Sequence, residues 1–202
     1  MKIQNLFDSN DVKYASYIVD KDSIPLIYEG YYLSLIMDKD YIPRLNTVIG
    51  ESAAEIKIVD FNASGQFAVI SNDYDALTKV INDTSKLSHT FSKIEYYAGK
   101  DVSSFDGFPK IIKSSLVFGK DCNLVSLKGI HKHISEISGS ISIFTPKVQS
   151  HFLGILKIKG CKSILIDNKA VENIINKYLP EGDILDCQDE LIEAGLEEYA
   201  KL

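Results

Sequence analysis

Histidines, cysteines and glycine–lysine pairs are the side chains of this sequence whose types and spacing could carry chemistry. His131-Lys132-His133 is the densest polar cluster. Two imidazoles at i and i+2 on a strand share a face and, with His151, could ligate a metal. No cysteine or carboxylate stands at ligand spacing, so surface histidines are the preferred reading and no metal is assigned. His89 follows Leu87-Ser88 with no identifiable base or nucleophile beside it. Gly99-Lys100-Asp101 and Gly119-Lys120-Asp121 share the glycine–lysine pairing of phosphate-binding loops. Neither has the preceding glycine or following Ser/Thr of a P-loop, and the duplication reads as a repeated turn. Cys122, Cys161 and Cys187 are odd in number and widely spaced, which fits neither a disulfide framework nor CxxC metal binding. Reduced, mostly buried thiols are expected. The carboxylate pairs Asp38/Asp40 and Asp73/Asp75 read as turns and helix caps. No GxGxxG, HExxH, GxSxG or Walker motif occurs, so no catalytic residue and no cofactor are assigned.

The chain that must position these groups has 202 residues, of which 45% are hydrophobic and 25% charged. That supplies the core of one domain or two small ones and excludes disorder as the main state. A formal charge of −6 gives no general electrostatic case for nucleic-acid binding. Met1 to Asp8 reaches an acid within a few residues and shows no secretory pattern, and no apolar run is long enough to cross a bilayer. A cytosolic protein without direct membrane contact is expected. Charge is unevenly spread: residues 99–168 hold ten lysines against five acids, and residues 181–202 hold eight acids against Lys201.

Tyr31–Met37, Glu55–Asp60 and Gln66–Ser71 are β-branched or aromatic runs bounded by turn residues, and read as strands. Asn62-Ala63-Ser64-Gly65 reads as a hairpin turn. Asp40–Val48 and Asp73–Ile81 read as helices, the second capped by Asn72 or Asp73. Further on, the segment Gly99–Ile112 aligns with Gly119–Ile134 when two residues are inserted in the later copy, an offset of 20 to 22. This is leucine-rich-repeat length. A third unit is read from Ile141–Phe144 through Leu153–Gly160 to Ile164–Asn168. Phe105, Ile112, Leu127, Ile134, Ile143, Leu156 and Ile158 recur at repeat spacing and are expected to be buried, with Gly107 and Gly129 at equivalent turns. Asn168 can cap a helix with Val171, Ile174, Ile175, Tyr178 and Leu179 on one face, ended by Pro180. Asp183 can cap the next, with Ile184, Leu185, Cys187, Leu191 and Ile192 facing inward as far as Gly195. The expected fold class is α+β: a small N-terminal α/β module (1–95), a degenerate leucine-rich-repeat-like stack of short strands (96–168) and a C-terminal helical cap (169–202), packed as one body.

Val102-Ser103-Ser104-Phe105-Asp106-Gly107-Phe108-Pro109-Lys110-Ile111-Ile112 and Leu124-Val125-Ser126-Leu127-Lys128-Gly129-Ile130-His131-Lys132-His133-Ile134 follow a Leu-x-Ser-Leu-x-Gly-x-Pro-x-x-Val pattern. From Phe105 onward the chain thereby resembles leucine-rich-repeat-like accessory proteins of tailed bacteriophages. The segments Gln149–Gly160, Ile174–Leu179 and Cys187–Leu196 resemble the end that those proteins share. Roughly the last half of the chain is covered, and Phe105 stands where the pattern has its leucine. The resemblance brings no catalytic residue to carry over.

What the resemblance implies is an accessory protein that acts in the host cytoplasm by occluding a bacterial anti-phage defence factor. The toxin of a toxin–antitoxin system, such as a DNA-modifying ADP-ribosyltransferase, is the target class by analogy. A binding protein needs an exposed surface, and two are available: the lysines Lys110, Lys113, Lys120, Lys128 and Lys132, or the acidic face Asp186, Asp189, Glu190, Glu193 and Glu197. The alternatives are a virion or assembly component and an enzyme with an unrecognised site in the N-terminal module.

Overall fold

The β-branched and aromatic runs of the first unit pair into a mixed sheet. The computed structural model describes residues 2–3, 16–18, 30–37, 56–60, 66–84, 89–91, 94–99, 102–120 and 122–202. By contacts the chain divides into two units, Met1–Glu95 and Tyr96–Leu202. The expected helix Asp40–Val48, the turn Asn62–Gly65, the pair Asp38/Asp40, and Lys100, Asp101 and Asp121 of the glycine–lysine copies lie outside the described residues.

In the first unit β1 (Lys2–Ile3), β2 (Ser16–Ile18), β3 (Gly30–Met37), β4 (Ile56–Asp60), β5 (Gln66–Ser71) and β6 (His89–Phe91) run in the order β1-β2-β4-β5-β3-β6. The β2/β4 pair is parallel and the others antiparallel. Helix α1 (Tyr74–Thr84) follows β5 directly. Its start is set by Asp73, whose carboxylate accepts from the amides of Asp75 (2.9 Å) and Ala76 (3.2 Å), while Ser71 Oγ accepts from the Asp73 amide. Leu77 is fully buried, and the Tyr74 ring meets Tyr31 edge-on at 5.3 Å.

The second unit is built from short strands, paired in parallel from Ile111 onward. β7 (Glu95–Ala98), β9 (Ser115–Phe118), β11 (Ile141–Ile143) and β12 (Ile164–Ile166) lie side by side in that order. Leu116, Ile141 and Ile164 are in register, as are Phe118, Ile143 and Ile166, and all six are buried. A second ladder pairs β8 (Ile111–Ile112) with β10 (Glu136–Ile137) and continues to Lys159 by a parallel bridge. The chain thus passes from one ladder to the other and back, and bonds between successive passes join residues 20 to 26 apart. Cys122 Sγ donates to the Val102 carbonyl, Thr145 Oγ1 to that of Cys122 and Ser135 Oγ to that of Lys110. No single pass could bury its own apolar side, so each depends on its neighbours.

The seven repeat positions expected in the core are all buried. Phe105, Phe108 and Phe118 form one ring cluster with centroids 5.8 to 6.3 Å apart, and all three are buried. Gly107 (φ 88°) and Gly129 (φ 75°) both adopt the left-handed conformation, as equivalent turns require.

Two expectations are corrected. Ile112 is opposite Ile137, not Ile134, because Ile130–His133 winds into a helical turn, α2, and lengthens that pass to 25 residues. The segment Leu153–Gly160 is not strand either: Phe152–Lys157 forms a 3₁₀ helix, which buries five consecutive residues, Phe152 to Leu156, where a strand would expose every second one.

The last strand of the ladder is closed by side chains. Helix α3 (Lys169–Tyr178) begins where Asn168 Oδ1 accepts from the Val171 amide, and α4 (Ile184–Glu193) where Asp183 Oδ1 accepts from the Asp186 amide. Val171, Ile174 and Ile175 turn inward from α3. On the same helix Asn176 presents its amide to β12: Oδ1 accepts from the Ile164 N–H at 2.7 Å and Nδ2 donates to the Ile164 carbonyl at 3.0 Å. Glu172 Oε2 accepts from the Ile166 N–H at 2.8 Å. These bonds take the place of a further strand on an edge that would otherwise stay open. In the second helix the inward set is smaller than expected: Cys187 and Leu191 are buried, Ile184 is half-buried, and Leu185 and Ile192 face out.

Asn176→Ala should lower the unfolding free energy by about 1–3 kcal/mol, since it leaves the Ile164 amide and carbonyl without partners. Asn173→Ala, at an exposed position of the same helix, should stay within about 0.5 kcal/mol of the parent. Equal urea midpoints for the two variants would contradict the role given to Asn176.

Candidate functional site

The acidic surface begins with the Asp183 cap that starts α4. At about 100° per residue the helix sets Leu185, Asp189 and Ile192 on its outer side and Asp186 and Glu193 on an adjoining flank. Asp186, Asp189 and Glu193 are exposed, as is Glu197 beyond the left-handed Gly195. Glu190 differs from the rest of the expected acidic face. It lies against α3, where Lys177 Nζ and Tyr178 Oη both donate to its Oε2. Those two donors hold its carboxyl below the usual carboxylate range, and the carboxylate in turn raises Lys177 and Tyr178. Glu190 therefore fastens α4 to α3, which leaves four of the five acids for solvent or a partner.

The five lysines are exposed and lie at three stations around the stack. Lys110 and Lys113 bracket β8, and Lys120 follows β9. Lys128 and Lys132 bracket Gly129 and the start of α2. Lys132 and Lys157 lie near His131, and Lys128 and Lys201 near His151, two of the three histidines grouped above as possible metal ligands.

His131 and His133 belong to a helical turn, so residues i and i+2 point about 200° apart and the shared face expected on a strand is absent. The His133 ring lies beside Phe105 at 5.9 Å. His131 packs over Gly154, where an added Cβ would sit 3.0 Å from its Nδ1, and that nitrogen is buried with no hydrogen-bond partner. Burial lowers the His131 pKa, and Lys157 and Lys132 lower it further. His151 adopts a left-handed backbone (φ 66°) and receives Ser126 Oγ at 3.1 Å and Ser150 Oγ at 3.0 Å on one nitrogen, Nδ1. Burial lowers its pKa first, then Lys128 and Lys201, against an opposing effect of Glu198.

A serine–imidazole contact at that distance is also the geometry of a nucleophile and its base. Here two hydroxyls share the one nitrogen, Ser126 Oγ already accepts from the Lys128 amide, and the contact spans the 25-residue interval of the other ties between passes. Its geometry is that of a structural tie. The detectable signal in the sequence was the interval between Ser126 and His151, which matches that between Ser115 and Ser140. His89 lies on β6 opposite Met37. Among the described residues no group of three or more His, Cys, Asp or Glu is placed to hold a metal ion. None of the three cysteines is in a disulfide. Burial pushes the Cys161 thiol up to about 11 and the Cys187 thiol up to about 12, so neither is a thiolate near neutrality.

Comparison with protein-family models, curated proteins and solved structures finds no match for this chain. Among the described residues, no helix is long and apolar enough to cross a membrane.

The lowered histidines have a pH consequence. A folded-state pKa below the ordinary 6.5 means that the native protein binds fewer protons than the unfolded chain. The corresponding stability is present above about pH 6.5 and is lost as pH falls through that value toward the folded pKa. Urea midpoints should therefore drop between about pH 7.5 and 5.5, and His131→Gln should flatten that slope whatever it does to the absolute midpoint. A variant slope equal to that of the parent would contradict the assignment.

Proposed function

We propose that this chain is a phage-encoded binding protein that inhibits a bacterial anti-phage defence factor in the host cytoplasm by stoichiometric occlusion. The observation that carries this reading is exposed, unneutralised charge on a helix at the end of a stacked scaffold and just beyond it. Asp186, Asp189, Glu193 and Glu197 are all exposed, and the helix is tied down by its Asp183 cap and by Glu190. Asp186 lies in the first turn, where an acid favours the helix, whereas Asp189, Glu193 and Glu197 lie beyond that turn. Such a face raises encounter rates with basic sites, including those of enzymes that bind nucleic acid. The ladder spacing of 20 to 26 residues supports a leucine-rich-repeat-like description of the stack. The resemblance of the C-terminal half to accessory proteins of tailed phages supplies the source and the class of target, for which the DNA-modifying ADP-ribosyltransferase toxins stand as the first case.

Two measurements test this. Titrated against a purified toxin of that class, the chain should abolish activity at one molecule per toxin, and purified virions should lack it. Its presence as a stoichiometric virion component, with no inhibition, would move the reading to assembly. Inactivation far below one equivalent would make the chain an enzyme. Asp189→Lys with Glu193→Lys, Glu190 being left in place, should slow association about tenfold at low salt and much less at high salt.

A further inference from the structure

Helix α4 carries an apolar ridge on its solvent side. Leu185 is 72% exposed and Ile192 46%, while Cys187 and Leu191 on the opposite side are fully buried. Seven residues apart, Leu185 and Ile192 stand within about 20° of one another around the helix. Asp189 lies between them along the axis, about 40° from Leu185, and Glu193 and Asp186 continue the same flank at about 80° and 100°. The other flank holds Gln188, whose amide is already engaged with the Ala200 carbonyl. No ion pair among the described residues holds Asp186, Asp189 or Glu193.

We propose that this ridge docks a basic amphipathic helix of a partner protein, with Leu or Ile at i and i+3 or i+4 and Lys or Arg beside them. The inference rests on the binding-protein reading and names the chemistry of its partner. Charge decides the occupant. A second copy of this chain packed antiparallel on the same ridge about a two-fold axis would bring acids against acids, whereas a basic helix meets the acidic flank while its aliphatic residues cover Leu185 and Ile192.

The test uses the full chain and two helix-forming peptides of about 18 residues with identical leucine positions, one filled with lysine and one with glutamate. The lysine peptide should bind in fluorescence anisotropy and the glutamate peptide should not. Leu185→Ser with Ile192→Ser should weaken binding of the lysine peptide by about tenfold or more. Asp189→Asn with Glu193→Asn should weaken it and reduce its salt dependence. Both pairs alter exposed side chains, and unchanged circular dichroism and melting would show that the variants remain folded. Equal binding by the Leu/Ile variant would overturn the proposal, as would binding of the glutamate peptide. So would sedimentation showing a parent dimer that the Leu/Ile variant dissociates. A chain that inhibits its target but ignores the lysine peptide loses this docking site and keeps its function. One that binds the peptide through the ridge yet inhibits nothing keeps the site and loses the function.

Discussion

A ladder of parallel strands ends in a strand whose outer N–H and C=O groups face away from every other strand. In this chain that strand is β12, and three of its outward groups are the Ile164 amide and carbonyl and the Ile166 amide. Asn176 and Glu172, four residues apart on one side of α3, fill all three positions. An asparagine side chain holds the same donor and acceptor as a peptide group, so it can stand in for one residue of a missing strand. Glu172 is itself kept charged by the Lys169 ammonium and by the Ile166 amide it serves, both of which hold it below the usual carboxylate range. Much else in the second unit depends on this closure, because each pass is stabilised only by the passes on either side of it.

Once α3 covers the edge, α4 has only a narrow surface left to cover. It buries Cys187 and Leu191 against the scaffold and is fastened by Glu190 to Lys177 and Tyr178. The tail returns along the 3₁₀ helix, with the amides of His151, Phe152 and Leu153 bonded to the carbonyls of Glu198, Tyr199 and Lys201. The outer side of α4, with its leucine, isoleucine and acids, is then held on a support with little freedom to move. Preorganisation of that kind reduces the entropic cost of recognition. His131 and His151 tie or pack one pass against the next, and two of the thiols are fully buried.

How much of this the sequence discloses depends on how local the cause is. Asn168 and Asp183 are legible as caps because a cap is a contact within three residues. The seven repeat positions are legible as core because recurrence at a fixed interval survives without knowledge of strand order. Strand register is not local. The helical turn at Ile130–His133 adds residues to one pass and moves the partner of Ile112 to Ile137, and alternation of apolar residues gives no warning of it. The same turn separates His131 from His133. Amphipathic periodicity likewise places Leu185 and Ile192 among the inward residues of α4, since period alone does not tell how wide a surface the neighbouring elements offer. Glu190 reads as one acid among five until α3 supplies the lysine and tyrosine that engage it.

The closure of β12 by side chains can be observed directly by amide hydrogen exchange. In the parent protein the Ile164 and Ile166 amides should exchange as slowly as those of the inner strands, because each has a fixed acceptor. Asn176→Ala should release Ile164 first, and Glu172→Ala should release Ile166 first. Exchange of both amides at open-chain rates in the parent, or protection unaffected by either substitution, would contradict the view that these two side chains complete the ladder.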